Sequence, residues 1–196
     1  MRIGILGGTF DPPHSGHMAL AKTAAEQLHL DEVLFLPANK NPFKTEVALA
    51  SGKHRVAMVQ RMLAKEPDMA VSDMEITRGG VSYTVDTLGE LQMVRPAEYW
   101  FILGADAVKG LPDWRNPERL LRLSRLAVAV RPPETEKSTI TKIPEHFRDK
   151  IDMIRMNPLD VSSTELRDRL ARGVNVAPWI ATPVFQYIQE NKLYRG

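Results

Sequence analysis

Short apolar runs that stop at glycine or proline alternate along the chain with stretches whose apolar residues recur every three or four positions. RIGIL (2–6) halts at Gly7-Gly8, which predicts a strand buried on both faces. After Pro12-Pro13, Met18, Ala21, Ala25 and Leu28 fall on one face of a predicted helix. EVLFLP (32–37) predicts a second buried strand and residues 38–52 a polar loop. Val56, Val59, Met62 and Leu63 mark a helix that ends before Pro67. MAVSDMEI (69–76) predicts a third strand, and a helix starting near Thr84 carries Val85, Leu88 and Leu91. EYWFILG (98–104) repeats the pattern of apolar strand followed by glycine. A short helix with Val108 and Leu111, a helix over 116–123 and a strand RLAVAV (125–130) follow. Residues 132–149 are charged and contain proline, which predicts a mobile excursion. IDMIRM (151–156) predicts a last strand, and helices near 163–172 and 178–191 complete the chain. Such alternation predicts an α/β fold: a doubly wound, mainly parallel sheet with helices on both faces and a small helical part from about 160 to 196.

The length of 196 residues fits one domain with a sizeable core. Composition is that of an ordinary globular protein, and 26 basic against 24 acidic side chains offer no nucleic-acid or membrane surface. The absence of cysteine excludes disulfides, thiolate catalysis and cysteine-ligated zinc. MRIGILGG is too short for the apolar core of a signal peptide, and no apolar run reaches the roughly 18 residues of a membrane span, so the expected location is cytoplasmic.

In parallel sheets ligands bind beyond the carboxyl ends of the strands, at the switch point of strand order. Three predicted strand ends carry unusual residues: glycines with His14 and His17, Gly104 with Asp106, and Arg131 with Pro132. The opening GILGGTFDPPHSGH lacks a spaced GxGxxG, so a nicotinamide-cofactor oxidoreductase fits poorly, and no GKS or GKT completes a Walker loop. His14 and His17 have no accompanying third zinc ligand, and no protein metal site is expected. Gly7 and Gly8 let backbone amides approach an oxyanion, the helix start adds positive potential, and two imidazoles donate hydrogen bonds to phosphate oxygens. In VSSTELR (161–167), Ser162 with Glu165 reads as a capping box. Ser163, Thr164 and Arg167 exceed what capping needs and suit a polyphosphate at a helix start.

GGTFDPPHSGH together with SSTELR resembles the nucleotidyltransferases that carry an HxGH signature and a carboxy-terminal SSTxxR helix. Within them the chain resembles the bacterial nicotinate mononucleotide adenylyltransferases, through LPANKNPFK, SYTVDTL, GADAVKGLPDW and SRLAVAVRP in matching order. The resemblance implies a Rossmann-like fold and direct in-line transfer from ATP, with Mg2+, to nicotinate mononucleotide, without a protein nucleophile. It implies that His14 and His17 stabilise charge at the α-phosphate, that Lys44 holds a phosphate, and that Arg167 joins them as catalytic. It assigns ATP to Gly7, Gly8, Thr9, Phe10, Gly104, Asp106, Arg131, Ser162, Ser163 and Thr164, with Asp106 on the ribose hydroxyls and Arg131 bordering the adenine. It assigns nicotinate mononucleotide to Asn39, Thr84, Trp114 and Arg115, and leaves homo-oligomerisation open.

One position departs from the pattern: Phe43 stands where the family loop has a histidine just before its basic residue. The same chemistry on phosphopantetheine or glycerol phosphate is the nearest rival, but SYTVDTL and GADAVKGLPDW are not expected in those shorter relatives. A regulatory module that only binds nucleotide would be free to lose His14, His17 or Arg167, and all three are present.

Overall fold

Strands form where unbroken apolar runs can be covered on both faces, and the computed structural model shows six of them in one parallel sheet of order β3-β2-β1-β4-β5-β6. It describes residues 1–43, 48–157 and 160–195. The strands are β1 (Arg2–Gly8), β2 (Glu32–Pro37), β3 (Met69–Val71), β4 (Glu98–Gly104), β5 (Arg125–Val130) and β6 (Ile151–Arg155). The order reverses between β1 and β4, where Arg2 lies opposite Glu98 and Ile5 opposite Phe101. The helices are α1 (Ser15–Leu28), α2 (Gly52–Met62), α3 (Met74–Arg78), α4 (Thr84–Val94), α5 (Ala105–Val108), α6 (Pro117–Leu123), α7 (Glu136–Ile140), α8 (Ser163–Ala171) and α9 (Thr182–Glu190). No helix among the described residues is long and apolar enough to cross a membrane.

The chain divides into two compact units. The first comprises Met1–Gly7, Leu20–Leu34 and Tyr83–Pro158. Its core is the buried faces of β4 and β5 with Ile3, Ile5, Val33 and Ile154. Polar tethers close its edges: Trp100 Nε1 and Arg125 both donate to the Asp152 carboxylate, at 2.8 and 2.6 Å. Arg95 holds Glu32 through two bonds of 3.0 and 2.6 Å. The second unit comprises Gly8–Ala19, Phe35–Ser82 and Leu159–Gly196. Its core gathers Ala50 and Met58 with Leu166, Val176, Ile180, Val184, Ile188 and Tyr194.

Three expectations are corrected. Only residues 69–71 of MAVSDMEI are strand; after Ser72 donates to Phe35 O, residues 74–78 coil into α3. On α1 the buried side chains are Ala21 and Ala24, so small residues face the core and Met18, Ala25 and Leu28 flank it. The segment 132–149 is not a bare excursion: α7 and a 3-10 helix (Glu145–Lys150) occupy it, and Ile143 and Phe147 are buried. Thr135 and Ser138 cap α7 reciprocally. Ile143→Ala should therefore lower stability by about 2–5 kcal/mol in urea denaturation, the cost of emptying a filled core site. A change within about 0.5 kcal/mol, typical of surface positions, would show the segment to be unpacked.

Candidate active site

In the second unit the chain leaves β1 through Gly8, Thr9 and Phe10 and enters α1 at Ser15. Phe10 is buried, with φ 51°, and packs edge-on against His17 at 4.9 Å and against Phe35 at 5.7 Å. A Cβ on Gly8 would sit 3.0 Å from the Phe10 ring, so the glycine permits this close return. Its side chain thus belongs to the core, and any nucleotide contact by Phe10 falls to its backbone.

The two imidazoles lie with centroids 3.8 Å apart. His14 Nδ1 accepts from Gly16 N at 3.2 Å, and His17 Nδ1 accepts from His14 N at 3.2 Å. A ring nitrogen that accepts carries no proton, so each imidazole bears its hydrogen on Nε2. Gly16 leaves room here: a Cβ would come tightly against His14 Nδ1 and Val161 Cγ1, both at 3.0 Å. The opening amides of α1 are already engaged: Ser15 N by Trp179 O, Gly16 N by His14 Nδ1 and His17 N by His14 O. With those amides engaged, the donors that the two rings present are their Nε2–H groups. Burial pushes the His14 imidazole down to about 4, so it is a neutral donor at pH 7.

The SSTELR segment heads α8 as predicted. Ser162 Oγ accepts from Glu165 N at 3.2 Å, but Glu165 does not complete a capping box: its carboxylate holds Arg169 at 2.7 Å. Ser163 Oγ donates to Pro12 O at 3.0 Å. Arg167 donates to Asp11 O at 2.9 Å and to Thr164 Oγ1 at 3.2 Å. The start of α8 is thereby bonded to the residues just before His14, and Ser163 serves as an anchor through its hydroxyl. The Thr164 hydroxyl, which accepts from Arg167, keeps its own proton to donate. Asn39 donates its backbone N–H to Ser82 Oγ at 2.9 Å and its side chain to Gly80 O at 2.8 Å. Lys44 lies outside the described residues, and Phe43 just before it is exposed.

Three buried side chains that tie this loop down escaped the sequence reading. Asp11 is only 2% exposed. Its carboxylate accepts from Leu49 N at 2.8 Å, Ala50 N at 3.1 Å and Tyr194 Oη at 2.6 Å. Arg55, equally buried, donates to Thr9 O at 2.8 Å, Ala38 O at 2.7 Å and Ala50 O at 3.2 Å. Arg55 had a signal: it lies three and four positions before Met58 and Val59, on the apolar face of α2. Asp11 and Tyr194 had none.

In the first unit, Gly104 caps α5 and Asp106 opens it, exposed. A hydrogen bond from Lys109 at 2.6 Å holds Asp106 below the usual carboxylate range, and the Arg131 charge adds to this. Gly7, at the end of β1, is exposed, and a Cβ there would meet the Phe101 ring at 3.2 Å. Thr84 starts α4, whose neighbours Tyr83 and Asp86 receive Arg115: the guanidinium lies 4.4 Å above the Tyr83 ring and 3.4 Å from the Asp86 carboxylate. Trp114 is half-buried, edge-on to Phe101 at 5.9 Å, rather than fully part of the core. No three His, Asp or Glu side chains among the described residues could hold a metal ion.

The cytidylyltransferase-like family model matches residues 5–169, a span that contains both histidines, Asp106 and the start of α8. The chain belongs to the cytidylyltransferase-like family. A relative from Shouchella clausii, described as a probable nicotinate-nucleotide adenylyltransferase, is 38% identical over 194 residues, covering 98% of this chain and 96% of its own. A Roseiflexus relative with the same description is 40% identical over 194 residues, covering 98% of each. The Plasmodium falciparum nicotinic acid mononucleotide adenylyltransferase solved in complex with NaAD shares the fold, with TM-score 0.79 at 21% identity over 98% of this chain and 97% of that one.

The His14 environment predicts the pH dependence of this member's stability. The unfolded imidazole takes its proton near 6.5 and the folded one only near 4, so the unfolded state binds more protons in that window. Stability present above pH 6.5 is lost as the pH falls through 4, by up to about 3 kcal/mol at 1.36 kcal/mol per unit. His14→Gln should remove this share of the acid limb when urea denaturation at pH 7 and pH 4 is compared. An unchanged limb would show that His14 is not held neutral.

Proposed function

We propose that this chain transfers the adenylyl group of MgATP to nicotinate mononucleotide, giving nicotinate adenine dinucleotide and pyrophosphate in NAD biosynthesis. A 5′-phosphate oxygen of the mononucleotide attacks the α-phosphorus of ATP as the bond to the bridging oxygen of the β-phosphate breaks. Relatives of that description cover almost the whole chain. The observation that carries the mechanism is the histidine pair, whose Nδ1 atoms both accept backbone N–H groups and whose Nε2–H groups therefore donate. Direct transfer needs no protein nucleophile; positioning and stabilisation of developing charge suffice.

In this account His14 and His17 donate to α-phosphate and bridging oxygens. Arg167 and the Thr164 hydroxyl, with the Gly8, Thr9 and Ser163 backbone, hold the triphosphate. Lys44 adds a charge, Asp106 takes the ribose hydroxyls and Arg131 borders the adenine. Magnesium enters as part of the substrate, held by triphosphate oxygens, which suits a cation that keeps phosphate and water ligands. Asn39, Thr84, Trp114 and Arg115 serve the mononucleotide. Residues 1–196 act as one nucleotidyltransferase domain in the cytoplasm.

Pyrophosphate release from ATP tests the function. It should require nicotinate mononucleotide and not be supported by phosphopantetheine or glycerol phosphate; release without an acceptor, or with those acceptors instead, would overturn the assignment. His17→Ala should fold normally and lose about 100- to 1000-fold in turnover, the usual cost of removing one transition-state donor. Near-normal turnover would remove His17 from the chemistry.

Selection of the acid over the amide should come from backbone N–H groups around Thr84 and Trp114–Arg115, where Arg115 is the donor because Trp114 N already bonds Leu111 O, assisted by the Thr84 hydroxyl, since amide NH2 would face a donor. Arg115 already has Asp86 as its counter-charge. Arg115→Ala should therefore keep most of the preference for nicotinate over nicotinamide mononucleotide. If that variant uses both equally, the guanidinium reads the carboxylate.

A further inference from the structure

The Asp11 carboxylate gathers donors from two stretches far apart in the chain. Leu49 and Ala50 give their backbone N–H groups, and Tyr194, two residues from the end of the chain, gives its hydroxyl to Oδ1 at 2.6 Å. Asp11 in turn offers its backbone carbonyl to Arg167, whose Nη1 also lies 4.0 Å from Oδ2. Tyr194 is buried and its ring belongs to the apolar cluster of α2, α8 and α9. Burial and the bond to Asp11 both push its hydroxyl well above the ordinary tyrosine value, so it remains a donor at any working pH.

We infer that Tyr194 is a positioning residue for transfer: its hydroxyl holds Asp11, and through Asp11 the loop that carries His14 and His17. The inference rests on the assignment of those histidines to the chemistry. A buried carboxylate deprived of one of three donors turns toward its remaining partners. Arg167 Nη1 lies 4.0 Å from Asp11 Oδ2, and a shift in that direction moves the backbone three residues before His14. A displacement well under the size of a water molecule is enough to spoil alignment for in-line attack.

The test is a double-mutant cycle on the full chain. Tyr194→Phe keeps the ring and should lower kcat about 10-fold, with KM for nicotinate mononucleotide unchanged. Ile188→Val, in the same cluster, supplies a control that loses packing but no Asp11 bond and should keep kcat. In an Asp11→Ala background, which leaves the hydroxyl no acceptor on that side chain, adding Tyr194→Phe should cost nothing further in kcat. Hydrogen exchange reads the same contact without catalysis: the Leu49 and Ala50 amides should exchange faster in Tyr194→Phe and not in Ile188→Val, even if Asp11→Ala fails to fold. An unchanged kcat in Tyr194→Phe, an undiminished effect in the Asp11→Ala background, or unchanged exchange would overturn the inference. Lack of wild-type turnover with nicotinate mononucleotide would overturn the proposed function and leave the exchange result to decide the contact.

Discussion

A carboxylate taken out of water must be met by donors in nearly ideal positions, because the effective desolvation cost is several kcal/mol per ion. Asp11 imposes that demand on the second unit. Satisfying it brings residues 49–50 and Tyr194 onto one side chain and its backbone carbonyl onto Arg167. Arg55 makes the matching demand with opposite charge, and three carbonyls, of Thr9, Ala38 and Ala50, answer it. The stretch between Gly8 and Pro12 is held from both sides. Removing either ion's partners leaves a buried charge, so the arrangement resists drift in the loop that leads into the histidines.

Beyond that restraint, hydrogen-bond direction sets what the proposed mechanism asks of the two rings. Gly16 brings its N–H onto His14 Nδ1, and the His14 N–H occupies His17 Nδ1. Two neighbouring rings then bear protons on the same kind of nitrogen, and His14 is kept neutral by burial. Neutral donors suit the proposed role of the histidines, in which charge grows on phosphate oxygens: they strengthen as that charge appears without adding a fixed cation to the unliganded loop.

Much of the fold was legible in the chain because strand and helix periods differ. RIGIL, EYWFILG and RLAVAV became β1, β4 and β5 within a residue or two. MAVSDMEI was ambiguous, since a short apolar run suits strand and helix alike, and it contains a piece of each. Residues 132–149 misled because charge and proline outweigh two anchors, Ile143 and Phe147, whose burial depends on the rest of the first unit. The histidines and the α8 start were legible because glycine, hydroxyl and guanidinium cluster locally. Asp11 was not, since its partner Tyr194 is 183 positions away. A glutamate three residues after Ser162 suggested a capping box, but Arg169 one turn further on competes for it.

The account stands most directly on where the two imidazole protons sit. Nitrogen-15 spectra of the ring nitrogens in the free protein at pH 7 resolve this for each histidine. His14 and His17 should both appear as neutral rings with an unprotonated Nδ1 and a protonated Nε2. A proton on either Nδ1, whether in the other tautomer or in an imidazolium, would contradict the loop geometry and the donor role built on it.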